Sequence, residues 1–179
     1  ATVVDERHHD HHQRHGEHEG QDDHGASSTG VRQRSASTFT GGLTVNGGAV
    51  TLDHANLAVP TNLVDSSNVL TLGGGTLVLR GKGSTVTAQA FGSLMVNSGG
   101  SVITLTQNAA TSLTAALGGI ARNAGGTLVF SVIPNTNTVI ATTANSNEVG
   151  GILGPWLAVG ATTNLQYGAV NSSSQIVGF

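Results

Sequence analysis

The sequence predicts an all-β fold of the β-solenoid type, in which short strands wind into roughly five stacked coils. Three observations predict it: a composition of strand and turn residues, a glycine pair that recurs at nearly constant spacing, and a lack of helical periodicity. Glycine accounts for 26 of the 179 residues, whereas proline is limited to 3 and aromatic residues to 3%. Val, Thr, Ser and Asn fill much of the remainder, which favours strands and turns over helices.

The glycine pair stands before a short apolar run in four places. The second glycine of each pair forms a series with nearly equal separations in sequence: Gly48, Gly75, Gly100 and Gly126. One coil of such a repeat cannot bury its inward face alone, whereas stacked coils align like residues about 4.8 Å apart around a shared core. The alternative, hairpin turns of an antiparallel sandwich, fits the constant spacing less well.

The apolar positions after each pair predict which side chains face the core. An apolar residue follows at the second position in all four copies: Val50, Leu77, Val102 and Leu128. In the third copy, Ile103 and Leu105 fall one position later than the pattern requires. This offset predicts a small register change or a bulge in that strand.

The chain divides into two regions of unlike composition, residues 1–38 and residues 39–179. The first region holds seven of the ten acidic residues, four of the seven basic residues and seven of the eight histidines. It has few sizeable apolar residues to offset its chain entropy, so we expect it to be disordered unless a partner orders it. The second region has no net charge and carries the repeats. We therefore predict a charged N-terminal segment followed by a solenoid domain.

Composition also excludes several classes of protein. The chain has no cysteine, so it forms no disulfide and performs no thiol chemistry. Its formal net charge of −3 gives no indication of nucleic-acid binding. No apolar run approaches the roughly 18 residues of a membrane-spanning helix, and we expect no membrane span in this chain.

The repeats resemble the autotransporter-associated β-strand repeat of large bacterial surface and secreted proteins. The phrases that carry the resemblance are "FTGGLTVNGGAVTL" (39–52), "IARNAGGTLVF" (120–130) and "GGILGPWLAV" (150–159). The similarity covers about residues 39–170. It implies a right-handed parallel β-helix of the passenger-domain kind in an extracellular or bacterial cell-surface setting, and it brings no catalytic residues with it.

The strongest chemical signal is the run "ERHHDHHQRHGEHEGQDDH", residues 6–24. Neutral imidazoles bind Zn²⁺, Ni²⁺ and Cu²⁺, and neighbouring carboxylates add charge or orient the rings. The candidate metal ligands are His8, His9, His11, His12, His15, His18 and His24. Their spacing matches no fixed zinc site. The two interpretations are loose metal binding in several registers and a solvated tail that binds no metal. Val3 and Val4 could add a short strand to the open edge of a neighbouring subunit.

Three features of the body could carry chemistry, and each has a simpler structural interpretation. Asp53 and His54 are adjacent acid and imidazole groups, but neighbours on a strand point to opposite faces, so a polar turn is favoured. Arg80 and Lys82, in a glycine-rich run, are interpreted as solvent-facing residues at a coil corner rather than a phosphate site. Trp156 could stack on a sugar, yet a cap that seals one end of the solenoid is favoured.

The sequence therefore predicts a structural extracellular protein without catalytic residues and without a required cofactor. It would be the scaffold module of an adhesin, stalk or filament that self-associates by stacking or strand addition, with surface glycans as further partners. The alternatives are a metal-binding surface protein that uses the histidine-rich segment and a carbohydrate-active β-helix enzyme. The body offers that enzyme only three acidic residues, Asp53, Asp65 and Glu148.

Overall fold

A computed structural model describes residues 30–37, 40–131, 137–141, 144–148 and 150–179. Within these ranges the chain forms strands and turns and no helix, which confirms the all-β prediction. In chain order the strands are β1 (Gly30–Gln33), β2 (Leu43–Val45), β3 (Ala49–Asp53), β4 (Val69–Leu72), β5 (Thr76–Arg80), β6 (Val86–Ala90), β7 (Ser93–Val96), β8 (Gly99–Thr106), β9 (Ser112–Ala116), β10 (Gly119–Arg122), β11 (Gly126–Phe130), β12 (Thr138–Ala141), β13 (Leu157–Ala161), β14 (Asn164–Val170) and β15 (Ile176–Gly178). The described part contains no helix long and apolar enough to cross a membrane.

The strands belong to three sheets, and each complete coil gives one strand to each of them. The largest sheet has the order β1-β3-β5-β8-β11-β13-β14-β15, the second β10-β7-β4-β2 and the third β12-β9-β6. Pairing from β1 to β13 is parallel throughout the largest sheet, as a solenoid requires. Strands β14 and β15 instead run antiparallel to their predecessors.

The solenoid has about four turns, fewer than the roughly five predicted from the length of the body. The difference arises at the C-terminus, because the chain after β13 turns back on itself instead of winding a further coil. The first coil is also incomplete. Residues 54–68 stand where its third strand would lie, with a single bridge between Thr61 and Ala88.

Aligned side chains form the core. The main ladder runs through Val50, Leu77, Ile103, Phe130 and Val159, each at most 2% exposed. A second sheet adds the buried ladder Leu43, Leu70, Leu94 and Ile120. Burial of each such side chain contributes about 1.5–3 kcal/mol, so the stack as a whole stabilises coils that could not fold singly.

The predicted register change in the third copy is confirmed. Ile103 aligns with Leu77, whereas Val102 aligns with Thr76 on the outer face and is only partly buried. Ser101 takes the inward position below Leu128. The strand therefore keeps its larger apolar residues in the core at the expense of the regular glycine spacing.

In the copy at Gly125 and Gly126 the two glycines serve separate purposes, as they do at Gly74 and Gly75. Gly125 has a φ of 78°, a left-handed conformation that glycine adopts without the steric cost of a side chain. A Cβ atom on Gly126 would lie 2.7 Å from the carbonyl oxygen of Asn97 in the preceding coil. In these two copies the first glycine makes the corner, and the second lets neighbouring coils approach closely.

The two ends of the stack are closed in different ways. At the C-terminal end, the antiparallel pair β14 and β15 extends the largest sheet, and the Asn145 amide donates to and accepts from the Ile120 backbone of β10 at 2.9 and 2.6 Å. At the N-terminal end, β1 is the outermost described strand of the largest sheet and β2 that of the second. Strand β1 comes from the charged segment, on the N-terminal side of the predicted domain boundary.

Candidate functional site

The seven candidate metal ligands, His8, His9, His11, His12, His15, His18 and His24, lie outside the described residues, as do Val3 and Val4. Metal binding by this segment therefore stays a prediction. Among the residues that the structure does describe, no group of three His, Cys, Asp or Glu side chains is arranged to hold a metal ion.

The main cluster of charged side chains in the described part surrounds Asp53 at the N-terminal end of the solenoid. The Arg80 Nη1 atom lies 3.2 Å from Asp53 Oδ1 and 3.3 Å from Oδ2. Arg32 and Arg34 approach the same Oδ2 atom at 3.7 and 3.8 Å. We call these four residues the Asp53 cluster. The Asp53 side chain is only 3% exposed, whereas the three arginine side chains are 36–57% exposed. The arginines therefore cover the carboxylate.

The register of the sheet brings the cluster together. Asp53 ends β3 and stands directly opposite Arg80, the last residue of β5. On the other side Gln33 of β1 pairs with Leu52, so the following residue, Arg34, arrives beside Asp53. The carboxylate thus lies between two cationic residues on neighbouring strands, an arrangement that stabilises a sheet through opposite-charge pairs.

Asp53 is held in its ionised form. Burial by itself would raise the pKa of this carboxyl group, but the hydrogen bond from the Ala55 N–H and the guanidinium of Arg80 outweigh it, and the net pKa lies below the ordinary value. Three guanidinium groups face one carboxylate, so the cluster keeps an excess of positive charge. Arg80 also donates to Asn108 Oδ1 at 2.9 Å, which ties the cluster to the next coil.

His54 follows Asp53 directly but belongs to a different environment. Its side chain is fully buried, and its Nδ1 atom lies 3.1 Å from the carbonyl oxygen of Arg80, which also accepts from the His54 N–H at 3.0 Å. Burial is the main cause that lowers the pKa of this imidazole, so the ring is neutral near pH 7. The Nε2 atom is buried and has no hydrogen-bond partner among the described residues.

The structure refines the prediction of a polar turn at this point. A turn is present, because the Leu57 N–H donates to the His54 carbonyl at 3.1 Å and the Ala55 N–H donates to Asp53 Oδ1. Both side chains are nevertheless buried, unlike those of an ordinary solvated turn. Asp53 is engaged by arginines, while the His54 ring is engaged by the backbone of the next coil.

The interpretation of Arg80 and Lys82 as solvent-facing residues was wrong in part. Both lie at a coil corner, as predicted, but each is only partly exposed and each has a defined partner. Arg80 pairs with Asp53, and the Lys82 ammonium group donates to the Leu57 carbonyl oxygen. Sequence spacing contained a signal for the first pair, because Asp53 and Arg80 are separated by one coil of the repeat.

Aromatic residues collect at the other end. Trp156 is partly buried and packs against the core just before β13, with the Arg122 guanidinium carbon 5.8 Å from the centre of its ring, and its role as a cap stays a prediction. Tyr167 and Phe179 are 54% and 68% exposed and adjacent, since the Phe179 N–H donates to the Tyr167 carbonyl. Leu165, on the same strand as Tyr167, is also exposed.

Comparisons with known proteins do not assign this chain to a family. No protein-family model, curated protein or solved structure matches this chain. The resemblance to the autotransporter-associated repeat therefore depends on the quoted phrases, and the β-solenoid depends on the structure.

Proposed function

We propose that this chain is a structural module of an extracellular or bacterial cell-surface protein, related to the autotransporter-associated repeat proteins. It acts as the scaffold of an adhesin, stalk or filament, not as an enzyme. The observation that supports this proposal most is the unbroken ladder from Val50 to Val159, in which every coil gives its inward positions to a common core. Such a stack resists bending and spaces its ends, which is the mechanical requirement of a scaffold.

The outer face of the largest sheet supports the same proposal. Its outward positions are held by small or β-branched residues, among them Thr51, Val78, Thr104 and Val129. At a strand spacing of about 4.8 Å, four stacked coils span about 20 Å along the stack and present the outer faces of their sheets on its sides. Sheet faces of this kind suit lateral contact with surface glycans or other copies.

Self-association follows from the ends of such a stack. A strand at the end of a sheet exposes unpaired backbone groups, which bind another strand unless they are protected. Contacts between unlike ends produce open filaments when the rotation between copies does not close. We therefore propose that copies of the chain join through their ends.

Electron microscopy and light scattering of the full chain at increasing protein concentration test this function. The expected result is rods or filaments that lengthen with concentration and have the width of one solenoid. Compact monomers at every concentration would contradict the assembly function. A variant with Arg32→Glu and Arg34→Glu provides a control, because it changes the charge of the N-terminal end and leaves the core ladders intact.

Metal binding by residues 8–24 is a second candidate function, favoured by the density of histidines there. Seven imidazoles in this short segment give a high local concentration of ligands for Zn²⁺, Ni²⁺ or Cu²⁺. Titration calorimetry of the full chain with Zn²⁺ would show saturable heat that disappears when these seven histidines are replaced by asparagine. Equal heats from both chains would remove this candidate.

A further inference from the structure

The N-terminal edge strand belongs to a coil that is shorter than the others. Coil strands pair at a separation of one full repeat, as Ala49 does with Thr76 and Thr76 with Val102. Strand β1 pairs with β3 at a separation well short of one repeat, since Gly30 lies opposite Ala49. Between the two strands the chain passes beside Leu63 at Ser37 and contributes β2 to the second sheet, so β1 begins a shortened coil. We call residues 30–36 the arm.

Two sets of interactions attach the arm to the solenoid. One is the parallel backbone pairing of Gly30–Gln33 with Ala49–Leu52. The other is the pair of arginines, Arg32 and Arg34, that approach Asp53. Both sets converge on one strand, β3. Beyond the arm, the Ser37 N–H donates to the Leu63 carbonyl at 2.7 Å and fixes the start of the connection to the body.

The arm covers the end of the core only in part. Val31 stands above Val50 in the main ladder, yet it is 42% exposed. Residues 34, 35 and 36 are exposed as well. A segment with so little buried apolar surface opens locally at low free-energy cost.

We infer that the edge of β3 accepts the arm of a second copy of this chain, so that copies join by exchanging residues 30–36. The same backbone groups and the same Arg32–Asp53 and Arg34–Asp53 pairs form whether the arm comes from its own chain or from a neighbour. Measured from Ser37, a fully extended arm reaches about 25 Å, enough to extend beyond its own sheet edge.

Charge and register select a second copy over an unrelated strand. Asp53 is a buried carboxylate that requires cationic partners, and the arm supplies two of them at alternate positions while Val31 covers Val50. Because the arm and the edge that accepts it both lie at the N-terminal end, reciprocal exchange joins the N-terminal ends of two copies in a closed dimer. This inference deepens the proposed assembly function, on which it rests, by naming the segment that joins the copies.

The lack of cysteine in the natural sequence allows a direct test by cross-linking. A Cβ atom built on Gly30 would lie 3.8 Å from Ala49 Cβ, close to the mean distance in disulfides of about 3.8 Å. Two full chains, one with Gly30→Cys and one with Ala49→Cys, are mixed, incubated and oxidised. Exchange predicts a covalent heterodimer joined between positions 30 and 49, with a yield that rises with protein concentration. Arg32→Glu and Arg34→Glu in the first chain should abolish that yield.

Two controls make the result decisive. Gly30→Cys mixed with Thr76→Cys should give no specific link, because position 76 lies one strand further into the sheet. The double variant Gly30→Cys, Ala49→Cys should form the disulfide within one chain. If it does and the mixed single variants give no 30–49 link at any concentration, the exchange is overturned. Failure of the double variant to form its disulfide would overturn it too, because the arm would not lie on β3.

The outcome separates this inference from the proposed function. Filaments of the natural chain without a 30–49 link between the single variants would refute arm exchange and leave the scaffold function standing. A 30–49 link without filaments would support exchange and refute the filament.

Discussion

The two ends of the solenoid close the same kind of core by different means. At the N-terminal end, four of the five Lys and Arg side chains of the described residues collect near one buried carboxylate, that of Asp53. They are Arg32, Arg34, Arg80 and Lys82. At the C-terminal end, the chain folds back through β14 and β15, and three large apolar side chains, those of Leu165, Tyr167 and Phe179, are exposed.

This difference indicates how each end responds to change. The C-terminal end is continuous with the last coil and is held by backbone pairing on both sides of β14. At the N-terminal end, β1 has backbone pairing on one side only, with β3, and its other attachment is a set of ion pairs between one buried and three partly exposed groups, which respond to pH, salt and charge substitution. We therefore expect the N-terminal end to open first.

The largest effect should come from the ladder that both ends share. Phe130→Ala removes a fully buried ring between Ile103 and Val159 and should lower the free energy of unfolding by about 3–5 kcal/mol. Chemical denaturation followed by circular dichroism measures this loss. Val129→Ala on the outer face is the matched control, with a loss of roughly 0.5–1 kcal/mol. Similar losses from both variants would contradict the assignment of the core.

A smaller effect should come from the close approach of neighbouring coils. Gly126→Ala places a methyl group 2.7 Å from the Asn97 carbonyl oxygen and should lower the free energy of unfolding by about 1–3 kcal/mol. Gly100→Ala is the control in the preceding coil, because Gly100 lies opposite Thr127, whose Oγ1 would be the nearest atom to a new Cβ at 3.7 Å, and this substitution should be tolerated. Thermal unfolding of the two variants compares them, and equal midpoints would argue against close stacking as the reason for the second glycine.

The next comparison opposes the two ends directly. Asp53→Asn removes the charge that holds Arg32, Arg34 and Arg80, and should cost about 1–3 kcal/mol with increased hydrogen exchange confined to β1 and β3. Asn145→Ala removes two hydrogen bonds to Ile120 and should cost about 1–2 kcal/mol with increased exchange confined to β10. Loosening of both ends by either variant would show that the ends are coupled.

The smallest effect should appear as a dependence of stability on pH. Burial lowers the pKa of His54 in the folded chain. The stabilising contribution of the neutral imidazole to the free energy of unfolding is therefore complete above the ordinary pKa of about 6.5, and it is lost as the pH falls towards the pKa that His54 has in the folded chain. Asp53, whose folded pKa is also lowered, contributes above its ordinary pKa of 3.8, and this contribution is lost only at more acidic pH.

Unfolding of the parent chain and of His54→Gln between pH 7 and pH 5 isolates the first contribution. The parent should lose stability across this window, and the variant should lose less. The Asp53→Asn chain keeps His54 and should show the same slope as the parent in this window. An identical slope in the parent and in His54→Gln would contradict the neutral, buried state of the imidazole.

Much of the solenoid could be predicted from the sequence because the spacing between repeats equals the number of residues in one coil. The spacing of Gly48, Gly75, Gly100 and Gly126 gave the coil length, and the displaced Ile103 gave the register change. The number of coils was overestimated because the period was extended past β13, where the chain reverses direction.

The Asp53 cluster was less accessible to sequence reasoning. The Asp53–Arg80 pair follows from the coil spacing, but Arg32 and Arg34 precede Asp53 by less than one repeat and do not follow that spacing. They sit in a segment whose composition alone predicts disorder, and the open edge of β3 is what gives part of that segment a partner. The burial of His54 likewise depends on the coil above it, not on its neighbours in sequence.

Hydrogen exchange of the natural chain, resolved by mass spectrometry, tests the contrast between the two ends most directly. The comparison is between the arm, residues 30–36, and the C-terminal strand β14, residues 164–170, under conditions where the core ladders stay protected. A loosely attached arm predicts that residues 30–36 exchange at low opening free energy, well before residues 164–170. Protection of the arm equal to that of β14 would contradict the account.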